Sequence, residues 1–173
     1  MEIFQAIRDR RSIRKFKSDP IPEGILDKIV EAGRLAPSAG NLQRRKFVVL
    51  TGEAKRNFNV PTIGRFKLGD EPALIVVCAD TTPIEKYGDK GELYLQMDCA
   101  ASIMSMMLVA HSLGLGTCWV GSFDGEVAKR LLRLPENLRP LTLIPIGFPD
   151  EKPEMPSRKP VSEVCEFLDV LPI

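Results

Sequence analysis

The chain has 173 residues, with 24 Lys and Arg against 23 Asp and Glu, and its net charge of +1 provides no overall field for nucleic acid or membranes. Its hydrophobic content of 44% is ordinary for a globular protein, so we expect residues 1–173 to form one domain. Four widely spaced cysteines without a Cys-x-x-Cys motif, and a single histidine, predict no metal site and indicate a reduced, cytoplasmic protein. The N-terminus lacks the basic head and apolar run of a signal peptide.

Two helices are predicted within the first 35 residues. Residues 2–10 form the first helix, with Ile3, Phe4 and Ile7 at the spacing of a core-facing stripe. The second helix covers residues 22–35, because proline is favoured in the first helical turn and apolar residues then recur at helical intervals.

Between these helices, residues 8–17 hold six cations in ten positions. Charge runs of this kind usually form a solvated face. Here the alternation of polar and apolar residues from Ser12 to Phe16 favours an ordered, extended segment, which would place Arg10, Ser12 and Arg14 on one face. Two guanidinium groups and a hydroxyl on one face suit a phosphate.

A polar loop at residues 37–41 is followed by two predicted strands. The first strand covers residues 46–51 and leads into a short helix. The second, residues 72–79, is an unbroken apolar and β-branched run, which predicts a central strand covered on both faces. Residues 57–70 predict a loop, since glycines and a proline interrupt any periodicity.

Residues 92–113 predict one long helix, rich in Ala, Leu and Met, with Asp98 as its one charged side chain after the first turn. Its weakly polar residues do not gather on one face, so we expect burial on every side. A membrane span is the alternative, but the internal aspartate and the lack of a basic flank favour a soluble protein. His111 suits the dipole of the last turn, which favours a structural role, and Gly114 suits the helix end.

The C-terminal part begins with a β-like run at residues 116–121, whose glycines would let the backbone approach a flat ligand. A short helix at residues 124–132 follows. Pro145 within the last predicted strand, residues 139–148, indicates a sheet edge or a bulge. The tail, residues 149–173, has five prolines and an apolar end, so we expect an extended path over the surface of a second subunit.

Four motifs, in this order along the chain, resemble those of the FMN-dependent nitroreductase family. They are Arg10-Arg-Ser-Ile-Arg-Lys-Phe16, Ala36-Pro-Ser-Ala-Gly-Asn-Leu-Gln43, Leu113-Gly-Leu-Gly-Thr-Cys-Trp-Val-Gly121 and Arg158-Lys-Pro160. The resemblance implies an α+β fold: a central, mostly antiparallel sheet flanked by helices, with a long buried helix. It also implies a homodimer that exchanges C-terminal segments and binds FMN non-covalently at the subunit interface.

The resemblance further implies which residues bind the cofactor. The phosphate and ribityl chain would be held by Arg10, Arg11, Ser12 and Arg14, completed from the tail by Arg158 and Lys159. The flavin would be reached, in part from the other subunit, by Pro37, Ser38, Ala39, Asn41 and Gln43. The isoalloxazine would lie along Trp119, Val120, Gly121 and Ser122, with a backbone N–H near its N5 and Lys67 near the pyrimidine ring.

The chemistry implied by the resemblance is transfer of a hydride from NAD(P)H to FMN, with the electrons passing to a small oxidised acceptor such as a nitroaromatic or quinone. No catalytic side chain is assigned, because the flavin carries the electron chemistry. No Gly-x-Gly-x-x-Gly links a strand to a helix, so nicotinamide and acceptor should take turns at the flavin in a ping-pong scheme. A flavin carrier or sensor without turnover is the alternative, and the near-neutral charge argues against a nucleic-acid binder.

Two positions need separate comment. Arg44 and Arg45 stand where many members of the family have Pro-Trp, so an aromatic residue is missing and anionic donors or acceptors would be favoured. Trp119, considered without the resemblance, would be interpreted as a core residue.

Overall fold

The computed structural model describes residues 1–64, 66–83 and 85–169, and an antiparallel sheet lies at its centre. The strands are β1 (Arg45–Thr51), β2 (Ala73–Asp80), β3 (Gly116–Thr117) and β4 (Leu138–Gly147), paired in the order β1-β2-β4-β3. Every residue of β2 before its last is buried, because both neighbours in the sheet and apolar layers on both faces cover it. The prediction of a doubly covered central strand is confirmed.

Most of the described helices lie close to the predicted ones, but α6 in the tail was not predicted, since an extended path was expected there. They are α1 (Ile3–Asp9), α2 (Ile25–Leu35), α3 (Gly52–Arg56), α4 (Gly91–Ser112), α5 (Gly125–Leu131) and α6 (Val161–Val164), with 3-10 turns at Ala39–Asn41 and Glu85–Lys90. Helix α2 begins later than predicted, because Gly24 has a positive φ of 75° that interrupts a helix starting at Pro22. Asp124 caps α5 by accepting a hydrogen bond from the Val127 N–H at 2.9 Å.

Alternate residues of β2 belong to two apolar cores, so the cores lie on opposite faces of the sheet. One core joins Leu74 and Val76 to Phe66 and residues of the 118–120 segment. The other joins the sheet to α2 and α4, which approach closely at Gly33. A Cβ added there would lie 2.9 Å from the Met106 side chain, so only glycine permits this contact.

Helix α4 presents one face to the sheet and another to solvent. Cys99 and Ile103 are buried on the first face, whereas Leu93 and Met97 are 55% and 58% exposed. The prediction of burial on every side is therefore wrong for a single chain. Residues 87–112 are long and apolar enough to cross a membrane, but the packing of α4 on α2 and β2 is that of a core helix in a folded domain.

Helix α1 also differs from prediction, since its apolar residues are not in the core. Ile3 and Phe4 are 70% and 67% exposed, and Ile7 is exposed as well. Ala6 is the one residue of α1 that is buried. The helical stripe is present, but within one chain no apolar surface covers it.

Pro145 does not mark a sheet edge, because β4 lies between β2 and β3. The bulge in β4 falls at Leu141, so the alternative prediction for Pro145 is also wrong. Leu143 and Val120 exchange backbone hydrogen bonds at 2.9 and 3.0 Å, so every second N–H of β4 points towards the β3 side. Pro145 therefore faces the gap between Thr117 and Val120. Because proline has no N–H to donate there, the two intervening residues do not pair with β4.

Candidate active site

The basic segment is extended, as predicted, and is attached to β3. Ser12 forms a parallel bridge with Thr117, and the Ile13 N–H donates to the Thr117 carbonyl at 2.9 Å. Ile13 packs against Gly116 so closely that a Cβ on Gly116 would lie 2.7 Å from it. The Glu151 carboxylate accepts hydrogen bonds from the backbone N–H groups of Arg14 and Lys15. These contacts fix the backbone that carries the arginines.

Arg10 carries the least compensated charge in this segment. Its Nε and Nη1 atoms are buried, and neither has a hydrogen-bond partner among the described residues. Burial, followed by the neighbouring charges of Arg11 and Arg158, lowers the pKa of the Arg10 guanidinium. A partly buried guanidinium near two other arginines is energetically unfavourable unless an anion binds to it. The structure therefore offers a site for a negatively charged group at Arg10.

The other predicted cations differ in their surroundings. Arg11 donates to the carbonyls of Arg8 and Arg10 at 2.7 and 2.8 Å, so it stabilises the C-terminal end of α1. Arg158 is exposed, close enough to Arg10 to affect its pKa. Lys159 is exposed and lies 3.7 Å from Glu163, so in one chain it points along the tail.

A cavity of about 490 Å³ opens beside Arg10 and Arg11, and His111 forms part of its wall. The His111 Nε2 atom has no hydrogen-bond partner among the described residues. Burial lowers the pKa of His111, which favours the neutral imidazole at pH 7. His111 faces this cavity and does not line the second cleft described next.

A second, open cleft of about 250 Å³ lies along the segment after β3. Arg14, Ile63 and Phe66 line it together with residues 118–122. Trp119 is 42% exposed there, so it is not a core residue. The N–H groups of Trp119 and Gly121 donate to no acceptor in residues 1–64, 66–83 and 85–169, so they are free to bind a ligand.

Residues 37–43, which include the loop predicted at residues 37–41, are held by hydrogen bonds within the chain. The Ala39 N–H donates to the Asp98 carboxylate at 2.9 Å, and the Gln43 N–H donates to Ser38 Oγ at 3.0 Å. Asn41 and Gln43 adopt positive φ values of 54° and 53°. Pro37, Asn41 and Gln43 remain exposed, and no hydrogen bond between described residues joins this loop to the 118–122 cleft. Within one chain the two predicted flavin-binding elements are therefore not joined.

Arg44 and Arg45 form hydrogen bonds within the chain, and their expected preference for anionic donors or acceptors stays a prediction. Arg45 donates to four carbonyl groups at the end of α2, those of Gly33, Arg34, Ala36 and Pro37. It thereby acts as a C-terminal cap of this helix. Arg44 donates to the Asp80 carboxylate at 3.4 Å and to the Thr82 carbonyl. Both guanidinium groups are used in holding the loop and the end of β2.

Replacing Asp98 with alanine should lower the free energy of unfolding by about 1.5–3 kcal/mol, the range for a hydrogen bond to a charged group. The Ala39 N–H would lose its acceptor, and the loop at residues 37–43 would exchange its amide hydrogens faster. Asp98→Asn keeps an acceptor and is the matched control. Urea unfolding and hydrogen–deuterium exchange measure both effects; equal stability of the alanine variant and the wild type would contradict the role of Asp98.

Two supporting residues were missed by sequence reasoning about the site. The sequence could have identified Asp98, because a lone charge in an apolar helix must have a partner. It could not have identified Glu151, since Glu151 is one acid among several in a proline-rich tail. Lys67 is exposed and directly follows Phe66 of the cleft wall.

Comparison with known proteins places this chain in a family. A model described as the nitroreductase family matches residues 7–81 and 59–148. A Methanothermobacter thermautotrophicus protein with the provisional name NADH dehydrogenase/NAD(P)H nitroreductase is 33% identical over 159 residues, covering 88% of this chain and 80% of its own length. The NADPH-flavin oxidoreductase of Vibrio harveyi is 32% identical over 171 residues, 93% of this chain and 71% of that protein.

Comparison with solved structures agrees with this family. The crystal structure of a nitroreductase family protein from Clostridium difficile 630 is similar with a TM-score of 0.82 and 26% identity, covering 99% of this chain and 100% of that one. The match includes the antiparallel sheet and long helix that the sequence predicted. The chain belongs to the nitroreductase family.

Proposed function

We propose that this protein is an NAD(P)H-dependent oxidoreductase that binds FMN non-covalently and reduces a small oxidised acceptor, such as a nitroaromatic or a quinone. Its membership of the nitroreductase family supports the reaction class. Relatives named FMN reductase [NAD(P)H] and NADPH-flavin oxidoreductase support the cofactor and the hydride donor. The observation that carries the proposal is the Arg10 guanidinium, of which two nitrogens are buried without a hydrogen-bond partner among the described residues.

The residues present fit the phosphate of FMN. Arg10 lines the cavity of about 490 Å³ with Arg11, two of its nitrogens have no hydrogen-bond partner among the described residues, and Arg11 and Arg158 add positive charge near it. Arg14 lines the open cleft, whereas Arg10 lines the other cavity, so the extended segment that carries both would link the two. A dianionic phosphate would compensate the charge that the chain leaves unmatched at this point. Lys159 would reach the phosphate only if formation of the dimer moves the tail.

The open cleft would hold the isoalloxazine ring. Trp119, Val120, Gly121 and Ser122 form its floor, and Phe66 closes one side. FMN, when bound, would accept a hydride from the nicotinamide and supply electrons to the acceptor. The free N–H groups at Trp119 and Gly121 would orient the ring and stabilise negative charge, to which Lys67 would contribute. No side chain need transfer a proton, because the cleft is open to water.

We propose a homodimer, with the C-terminal segment of each chain lying on its partner. Residues 154–169 are exposed throughout, although this tail carries large apolar side chains such as Phe167, which is 87% exposed. Helix α1 and the outer face of α4 are also apolar and exposed. Apolar surface on this scale marks a protein–protein interface. The dimer would bring the 37–43 loop of one chain to the cleft of the other.

We treat residues 1–173 as a single cytoplasmic FMN-binding domain without a nucleic-acid or membrane partner. The near-neutral charge argues against a nucleic-acid partner. Asp98 argues against a membrane partner, because it accepts a hydrogen bond from Ala39 in the same chain and so keeps α4 within the folded domain.

The proposed function predicts ping-pong kinetics. A single open cleft would admit nicotinamide and acceptor only in turn, so initial-rate plots at several fixed acceptor concentrations should give parallel lines. Anaerobic addition of NADH or NADPH alone should bleach the yellow colour of the holoprotein. Intersecting lines, or bleaching that requires the acceptor, would exclude a shared cleft. Bleaching without any turnover of nitroaromatic or quinone acceptors would favour a flavin carrier.

A further inference from the structure

One wall of the open cleft is a segment attached to the rest of the chain at both ends. At its beginning, the Ile63 N–H donates to the Ser122 carbonyl at 2.9 Å, and Thr62 Oγ1 donates to the Phe66 carbonyl at 2.7 Å. Ile63 and Phe66 line the cleft, and the exposed Lys67 follows directly. The first attachment therefore joins this wall to the floor of the cleft.

The second attachment is a buried ion pair outside the cleft. Lys55, on α3, donates to the Gly69 carbonyl, and the Gly69 N–H donates to Glu71 Oε2 at 2.9 Å. Lys55 Nζ lies 3.0 Å from Glu71 Oε1, and the two side chains are only 10% and 1% exposed. The Lys55 ammonium thus donates to the carbonyl of Gly69, and the Glu71 carboxylate accepts from its N–H.

This arrangement is not needed to satisfy Gly69 itself, because Gly69 is exposed and water could bind both of its groups. Burying an ion pair also brings little stability compared with apolar residues of similar size. A cavity of about 600 Å³, lined by Lys55, Gly69 and Glu71 among others, lies on the same side. Phe66 and Leu68 pack on the apolar core, whereas the exposed Gly69 lies outside it, so at this end of the segment the ion pair provides the attachment.

We propose that Lys55 and Glu71 are positioning residues for the flavin cleft. They fix Gly69 relative to the ends of β1 and β2, and so set the place of Lys67, which follows Phe66 of the cleft wall, against the cofactor that would bind there. Neither residue touches the cleft, so they act only through the segment they hold. This inference rests on the proposed function, since the ligand of the cleft is FMN.

The test replaces both charges together, Lys55→Met with Glu71→Met, so that no unpaired charge stays buried. We expect the apoprotein to melt within about 4 °C of the wild type, because apolar residues usually replace a buried ion pair without loss. The FMN dissociation constant should rise about tenfold, as expected when binding must order a loosened wall. Residues 62–70 should exchange amide hydrogens faster, with or without FMN. Lys55→Arg, which keeps charge and donors, should stay close to the wild type.

The matched control removes an exposed ion pair of α2, Glu31→Met with Arg34→Met, and should leave FMN affinity and exchange at 62–70 unchanged. Wild-type affinity and wild-type exchange in the charge-free variant would overturn the inference. If that variant does not fold, Lys55→Gln is measured in the same two assays. A wild-type protein that binds no FMN would refute the proposed function, whereas hydrogen exchange of the apoprotein would still test the attachment.

Discussion

Replacing Arg10 with methionine should weaken FMN binding by about 1.5–3 kcal/mol, and it should leave the apoprotein at least as stable as the wild type. The two effects have opposite causes. In the holoprotein the guanidinium would bond to the phosphate, whereas in the apoprotein two of its buried nitrogens have no partner among the described residues. Removing a buried, uncompensated charge relieves the free protein. Fluorescence titration with FMN and thermal melting of the apoprotein measure the two effects separately.

Arg8→Met is the matched control, since it removes the same charge from the last turn of α1, just before Arg10. Arg8 is exposed and pairs with Asp9 at 2.9 Å, so its loss should change neither FMN affinity nor stability appreciably. Unchanged FMN affinity in Arg10→Met would remove Arg10 from the phosphate site. A large loss of apoprotein stability would show that Arg10 has a structural role.

Deleting residues 161–173 should dissociate the dimer and release FMN, the largest effect that we expect from any change. The deletion leaves Arg158 and Lys159 in place, so any loss of FMN would come from assembly. Side chains 161–169 are exposed in the single chain, and their removal should not unfold it. Light scattering and the flavin content of the purified variant give the result; a stable dimer with full flavin content would exclude the tail from the interface.

A point substitution separates the tail from general surface effects. Phe167→Asp should raise the dimer dissociation constant at least about tenfold, because burying a phenylalanine contributes about 1.5–3 kcal/mol. Leu131→Asp changes an exposed apolar residue on α5 and should have little effect. Equal effects of the two substitutions would mean that the tail has no special place in the dimer.

Regular periodicity made most of the fold predictable. The β-branched run at residues 72–79 and the long apolar helix occur where the sequence placed them, because backbone pattern and burial agree there. Pro145 was misinterpreted because a missing N–H is tolerated wherever the ladder has a gap, and a sequence does not show where the gap lies. The prediction that the apolar stripe of α1 faces the core failed for another reason. Periodicity predicts an apolar face but does not show which chain covers it.

The candidate site was predictable where a motif is local and unpredictable where partners are distant in sequence. The 10–14 segment is extended, as its alternation indicated, and lies against β3. The intrachain partners of Arg44 and Arg45, such as Asp80 and the carbonyls at the end of α2, were not predictable because they are set by tertiary packing. The same holds for the contact between Asp98 and Ala39, which are 59 residues apart.

We propose that this chain binds FMN through the charge of Arg10, which has no carboxylate partner among the described residues. The most direct measurement is a fluorescence titration of flavin-free wild-type protein with FMN, repeated with riboflavin, which lacks the phosphate. We predict saturable binding of one FMN per chain and much weaker binding of riboflavin, with the difference lost in Arg10→Met. Equal affinity for FMN and riboflavin, or no saturable binding of either, would contradict the account.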